Sequence, residues 1–469
     1  MNKMIIGNSL ACIVSAYELG KRGEKVTLIK HRGQWGAHFG GVDTCGVHYD
    51  AGMAIVELTS TNLEENPALA SYDLRVRNDV GRFYGIVKPY IENHVPMREI
   101  EQPESYYRGT WNSDFLLCNS FEVMTRMNPA ERELIASQLA DRDPNDWKHA
   151  SRKIKCQDLH AIGNYRETSI YNHGAHLHSQ LIEPFVRKLT GGGPEQISSL
   201  YHRRLWCPLY YPDTLREAAL AGGGRFGNTV IHYPVASSFR GFADVFLGMM
   251  EEMENVELIL EPISGIDRAA GVVHFEGGRD AVGYSTLAWG GNLFDAQRLL
   301  GVDGITDDHS LRANLTFEFM VIDSKKLTKE FSIAFVLDGN VPCYRVTNQS
   351  VCAGESEEGA RLIIEYNTDH LDRLGIRTER EVQRTSVATL IEMGIIADAG
   401  AVKASDVKAI PQLLPLCTNH YNECSKANIQ LVREACPEVC LMGDASGIST
   451  RSFADNIVQG LKYAELGYV

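Results

Sequence analysis

Met4-Ile5-Ile6 is a short apolar run that predicts a buried strand over residues 3–6, and Gly7-Asn8-Ser9 follows as a turn. From Leu10 to Gly20 the apolar positions Ala11, Ile13, Val14, Ala16, Tyr17 and Leu19 recur at helical spacing, with Ser9 placed to cap the first turn. Lys21-Arg22-Gly23 closes that helix with cations and a glycine. Lys25 to Ile29 is β-branched and apolar and predicts the next strand. Together these make a strand–turn–helix–strand unit of about thirty residues, the size of a dinucleotide-binding βαβ.

A related pattern closes the chain. Cys440-Leu441-Met442 predicts a short strand running into Gly443-Asp444, then a polar loop, then a helix over 454–466 with Ile457, Val458, Leu461, Ala464 and Leu466 on its apolar face. In the middle, Phe239-Arg240-Gly241-Phe242-Ala243 leads into a helix. Strands are predicted over 256–263, 272–275 and 285–288. The intervening chain reads differently. Residues 60–120 are rich in Asn, Pro and Tyr, 128–190 are mostly helical, and 313–322, 341–346 and 361–366 predict further strands.

The length of 469 residues exceeds one simple domain, and 44% hydrophobic with 23% charged residues excludes disorder as the main state. With 46 Lys+Arg against 60 Asp+Glu the net charge is −14, which argues against general nucleic-acid binding. The 11 cysteines form no C-x-x-C pair, so no metal site is expected, and they read as reduced thiols of a cytoplasmic protein. The opening apolar run is broken within a few residues and no uncharged run of about 18–20 residues occurs, so neither a secretory leader nor membrane association is expected.

The phosphate-binding fingerprint is degenerate. Of G-x-G-x-x-G, only Gly7 is kept in Gly7-Asn8-Ser9-Leu10-Ala11-Cys12. Ser9 and Cys12 are small, so the amides at the helix N-terminus, from Ser9, Leu10 and Ala11, remain able to face a pyrophosphate. Lys30 occupies the position of the usual ribose-binding acid. An ammonium accepts no hydrogen bonds, so Lys30, His31 and Arg32 favour phosphate.

Gly36-Ala37-His38 and Tyr49-Asp50-Ala51-Gly52-Met53 then bring in a resemblance. With Gly443-Asp444 and Phe453-Ala454-Asp455 at the other end, they resemble the signature of the flavoprotein superfamily of amine oxidases, protoporphyrinogen oxidases, phytoene desaturases and UDP-galactopyranose mutases. The match is partial, since Lys30 replaces the acid and His38 the usual Arg. The resemblance implies an α/β fold, a Rossmann-like FAD-binding domain with a mixed α+β substrate or cap domain. It implies FAD as cofactor, and Gly7, Ser9, Leu10, Ala11, Lys30, His31, Gly36, Ala37, His38, Gly52, Met53, Ile263, Gly443, Asp444, Phe453, Ala454 and Asp455 as its binding positions, with Ile263 beside the adenine. The FAD domain is expected in three parts, 1–59, 229–304 and 406–469. The substrate domain falls in 60–228 and in an antiparallel sheet over 305–405.

For the substrate side the candidates are Arg204, Tyr344, Arg345 and Tyr421, from segments that crowd cations and aromatics. An Arg clamps phosphate with two bonds, and a Tyr donates from a side chain with little entropy to lose. His48 is a candidate acid or base beside the flavin. The lysine that amine oxidases often place near the flavin is not identifiable; Lys325, Lys326 and Lys329 lie in a polar loop. The leading expectation is an FAD-dependent oxidoreductase taking a hydride from a C–N or C–C bond of a small molecule, with an anionic substrate in view. A non-redox mutase acting on a sugar nucleotide, an NADP-dependent enzyme and a cofactor-less binding protein stay open, as does the choice between monomer and homodimer.

Overall fold

The structure is a computed structural model and describes residues 1–52, 55–57, 86–113, 116, 120–142, 163–199, 205–210, 212–224, 231–235, 238–304, 306, 312–355, 359–416, 418–446 and 453–467. Five short strands form a parallel sheet in the spatial order Val256–Ile259, Lys25–Ile29, Asn2–Ile6, Thr286–Trp289 and Val439–Leu441. The beginning, middle and end of the chain therefore meet in one sheet. Its strands are apolar on both faces, as a parallel sheet covered on both sides requires. Ile5, Val26 and Leu28 pack into one core, and Met4, Ile6, Ile29 and Trp289 into another.

The opening helix Leu10–Lys21 lies on the first face beside the helices Phe239–Glu251 and Phe453–Leu466. A Cβ on Gly460 would stand 2.7 Å from Val14 Cβ and 3.0 Å from the Ala11 carbonyl, so the opening and closing helices cross at a distance only glycine allows. On the other face lie the antiparallel strands Ile263–Asp267, Val272–Phe275 and Val282–Gly283 and the helix Leu293–Leu300.

The second sheet has seven strands, in the order Val402–Pro415, Arg312–Asp323, Gly359–Asn367, Arg345–Asn348, Ile333–Val336, Glu104–Tyr107 and Thr110–Ser113. All neighbours are antiparallel except Ile333–Val336 with Glu104–Tyr107. The strand period of two sorts its side chains. Met320, Val346, Leu362, Ile364 and Tyr366 pack with Val382 and Leu390 of the helix Glu379–Glu392. Phe317, Phe319, Phe335 and Ile363 join the core that also holds Ile5 and Leu10 of the parallel-sheet unit. Arg345, Arg361 and Glu365 alternate with the first set, so they belong to the face turned toward that unit.

Two expected strands differ. The segment 341–346 becomes a strand only from Arg345, because Pro342 has no N–H for a ladder and the Val341 carbonyl is taken by Lys188. The expected strand 256–263 is two, Val256–Ile259 and Ile263–Asp267, separated at Pro262. Among the described residues, no helix is long and apolar enough to cross a membrane.

Candidate functional site

Three backbones converge at the N-terminus of the opening helix. A Cβ on Gly7 would stand 2.8 Å from Cys12 Sγ and 2.9 Å from the Gly290 backbone, and one on Gly443 would stand 2.8 Å from Ser9 Oγ. Ser9 caps the helix, its hydroxyl accepting from the Cys12 amide at 3.4 Å. The Ala11 amide donates to Asn456 Oδ1 of the closing helix at 3.2 Å. With those two amides engaged, Ser9 and Leu10 are the amides of that turn left for an anion. Gln459, also on the closing helix, accepts from the Gly443 amide at 2.8 Å, while its buried Nε2 has no partner.

The glycine-rich segment is fastened to the same turn. Asn8 Nδ2 donates to the carbonyls of Arg32 and Gln34 at 2.6 and 2.7 Å, and the Gly36 amide donates to the Asn8 carbonyl at 2.8 Å. Gly36 has φ +84° and Ala37 φ +54°, a sharp turn that aims Phe39 inward and leaves His38 exposed. Lys30 Nζ lies 6.0 Å from the Trp35 ring centre. His31 is 4% exposed, and neither ring nitrogen has a hydrogen bond, although Asp295 is 3.5 Å away. Burial lowers its pKa, with Asp295 opposing. Arg32 pairs with Asp295 at 3.0 Å. Phe453 opens the closing helix, with Ala454 and Asp455 in its first turn. Its ring packs edge-on to Phe39 and Phe239, at 5.4 and 5.0 Å.

A polar cluster that runs from the surface inward continues from the signature loop. The hairpin Val42–Thr44/Val47–Tyr49 sets Asp43 opposite His48, and His48 Nδ1 donates to Asp43 Oδ1 at 2.8 Å. Asp43 also pairs with Arg240 at 2.7 Å, and the two partners, His48 first, hold its pKa below the ordinary value. Asp50 is 3% exposed. It receives hydrogen bonds from the Tyr233 hydroxyl and, at 3.1 Å, from the Phe239 amide at the start of a helix. Burial nevertheless pushes its carboxyl up to about 6. The Asp50 amide donates to Gln349 Oε1 at 2.9 Å, and Arg361 donates to the His48 carbonyl at 2.6 Å.

Beside Gly52 lies Arg345, whose Nη2 would be 3.8 Å from a Cβ placed there. Arg345 is held by Glu365 through two bonds of 2.6 Å, and the Tyr344 hydroxyl donates to the same carboxylate at 2.9 Å. Burial opposes the guanidinium charge, but Glu365 overrides it and holds the pKa above the ordinary value. Gln349 Nε2 and Thr347 Oγ1, buried on or beside the same strand, have no partner.

The structure thus brings His48, Gly52, Tyr344 and Arg345 into one region, and Gly7, Ser9, Leu10, Ala11 and Gly443 into another. Ile263 is fully buried in the core with Trp289 and Phe275. Tyr421 sits in the first turn of the helix Asn419–Ala435, with the Arg312 guanidinium 6.0 Å from its ring centre. Arg204 and Met53 lie outside the described residues, as does the Asp444 side chain; its backbone lies in the turn Gly443–Ser446. Sequence reasoning passed over Glu365, Tyr233, Gln349 and Arg361 as site residues. Glu365 carried a signal, since it is the one acid in the apolar run Leu362-Ile363-Ile364-Glu365-Tyr366.

No family model matches the chain, and no curated protein matches its sequence. Solved structures do match. A reduced UDP-galactopyranose mutase aligns over 99% of this chain and 94% of its own, with TM-score 0.69 and 14% identity. Cyclohexylamine oxidase from Brevibacterium oxydans IH-35A aligns over 99% and 98%, with TM-score 0.55 and 14% identity. Wild-type putrescine oxidase bound to putrescine aligns over the same shares, with TM-score 0.55 and 13% identity. The chain has the FAD-dependent oxidoreductase fold, the one its opening and closing motifs resemble.

Proposed function

We propose that the chain is a flavoenzyme that binds FAD along the opening and closing helices and oxidises a small molecule held against the seven-stranded sheet. The observation that carries this reading is the meeting of Gly7, Gly290 and Gly443 at a helix N-terminus, with the buried His31 Nδ1 and Gln459 Nε2 left without hydrogen bonds. A buried polar atom without a hydrogen bond costs about 1–3 kcal/mol, so two of them together with an anion-binding turn fit a ligand with both phosphate and hydroxyl groups. The amides of Ser9 and Leu10 would hold its pyrophosphate. Lys30, His31 and Arg32 would serve its adenosine end, and Gly36, Ala37, His38, Gly443 and Asp444 the stretch toward the flavin.

When bound, the flavin supplies the acceptor for a hydride from a C–N or C–C bond. The chain's own part is positioning and proton handling. His48 is oriented by Asp43, with Asp50 behind it, which makes the signature loop the acid–base side of the cleft. Arg345, Glu365 and Tyr344 form a neutralised, rigid wall. That neutralisation weighs against the mutase reading, because Arg345 already spends two bonds on Glu365 and is not a free cation for a diphosphate.

The test is the colour of the purified protein. Absorbance bands near ~375 and ~450 nm, or uptake of added FAD that produces them, are the expected result. A colourless sample that takes up no FAD overturns the proposal. A flavoprotein that isomerises a sugar nucleotide only after reduction, with no net redox change, decides for the mutase.

A further inference from the structure

We propose that Asp43, His48, Asp50 and Tyr233 form a proton path from solvent to the buried end of the signature loop, with Asp50 as the group that takes up or gives the proton there. The proposal deepens the acid–base role given to this loop above, and it rests on the flavoenzyme reading for its use but not for its existence.

The geometry imposes the chemistry. Asp43 is 62% exposed, and it fixes the His48 tautomer, since a carboxylate only accepts and Nδ1 must therefore carry the hydrogen. His48 Nε2 is then a lone pair. It is buried, has no hydrogen-bond partner and stands 3.9 Å from Asp50 Oδ1. A neutral imidazole facing an ionised carboxylate in this way sets two acceptors against each other. One proton between them removes the conflict, on Asp50 or on His48 Nε2. Asp50 is anchored from behind by the Tyr233 hydroxyl on Oδ2 and the Phe239 amide on Oδ1, so its oxygens cannot turn away.

In one transfer the Asp50 O–H bond breaks as the His48 Nε2–H bond forms. The imidazolium then releases its Nδ1 proton toward Asp43 and solvent. No electrons are exchanged. The gap must close by about 1 Å to reach hydrogen-bond distance, a side-chain movement rather than a backbone one. Among the described residues, these charged and titratable groups face the pair. Arg240 binds the far oxygen of Asp43, Asp244 lies near His48 on the same helix as Arg240, and Arg361 holds the His48 carbonyl. Tyr233 and the Cys352 thiol lie behind Asp50. Burial of Asp50 supports a proton affinity high enough for the exchange to occur in the range where histidine titrates.

The experiment follows the imidazole of His48 by NMR in protein labelled at histidine nitrogen, assigned by the signal lost in His48→Asn, across about pH 5 to 8. In the wild type the His48 curve should carry two inflections, as expected of two groups sharing protons. In Asp50→Asn it should collapse to one, because the second group sharing the proton is gone. Identical curves overturn the path. If Asp50→Asn does not fold, infrared spectra of the wild type and Tyr233→Phe replace it. A protonated-carboxyl band that appears on acidification and moves in Tyr233→Phe supports the path, and no such band, or one indifferent to the substitution, overturns it. Both measurements are made with and without added FAD. Coupling in a protein that takes up no flavin upholds the path and overturns the flavoenzyme reading, while flavin uptake without coupling does the reverse.

Discussion

Arg345 and Glu365 offer the sharpest test of how the seven-stranded sheet holds its buried charges. Their side chains are 7% and 1% exposed, they share two bonds of 2.6 Å, and Glu365 accepts a third from Tyr344. Removing one partner leaves the other buried and uncompensated, at a cost of about 3–5 kcal/mol. Arg345→Met and Glu365→Leu are each expected to destabilise by that amount. Arg345→Met/Glu365→Leu removes both charges and fills the space with apolar atoms. What remains is the Tyr344 hydroxyl without its acceptor, about 1–3 kcal/mol. The double variant is thus expected to be more stable than either single one, with a coupling energy of several kcal/mol. Guanidinium unfolding of the wild type, both single variants and the double variant measures it, with equal slopes required across the four. Single-variant losses that add to within about 0.5 kcal/mol in the double variant would show that the two charges act independently and refute the reasoning.

Three further outcomes follow from the same geometry. Asp50 has a folded pKa of about 6 against an ordinary 3.8, so the unfolded chain holds fewer protons between these values. Its contribution is present below about pH 4 and lost as pH rises through about 6, roughly 3 kcal/mol at 1.36 kcal/mol per unit; urea unfolding of wild type and Asp50→Asn should show their difference changing in that window and not above it. Lys188 is fully buried, donates to the carbonyls of Val336, Asp338 and Val341, and is lowered by burial from 10.5 to about 8. The unfolded chain binds more protons between those values, so the stability difference between wild type and Lys188→Met should rise with pH from about 8 to 10.5, and a flat difference would contradict the shift. Gly7→Ala sets a Cβ 2.9 Å from the Gly290 backbone, whereas Gly23→Ala, at φ +77°, meets nothing within 4 Å. The first should lose more than about 2 kcal/mol and flavin uptake together, the second about 1 kcal/mol with uptake intact, as read by thermal unfolding and FAD titration.

The βαβ at the start was legible because every local signal agreed: the apolar run, the Ser9 cap, the helical spacing and the glycine stop all fall where the structure has them. The closing strand and helix were legible for the same reason. The long strand Val402–Pro415 was not. It lies at the sheet edge, carries Pro411, turns at Gln412 with φ +53°, and is exposed enough to show little apolar alternation. Asn456 was also invisible as a partner of the first motif, since nothing local tells that residues more than four hundred positions apart will share a helix crossing.

The Arg345–Glu365 pair failed to be legible for a reason of register. Arg345 reads from its own strand as a cation free to bind an anion. Its partner is chosen by the pairing of Arg345–Asn348 with Gly359–Asn367, which sets Arg345 opposite Glu365. A slip of one residue in that pairing would set Arg345 against Ile364 or Tyr366 and break the match of faces. Val346 and Ile364 belong to the core under the helix Glu379–Glu392, and a slipped strand would have to bury a guanidinium there without its carboxylate. The apolar alternation of both strands therefore fixes the register, and the register creates the salt bridge. The pair is a consequence of how the sheet is packed, which is why the cation that looked available in sequence is neutralised in the fold.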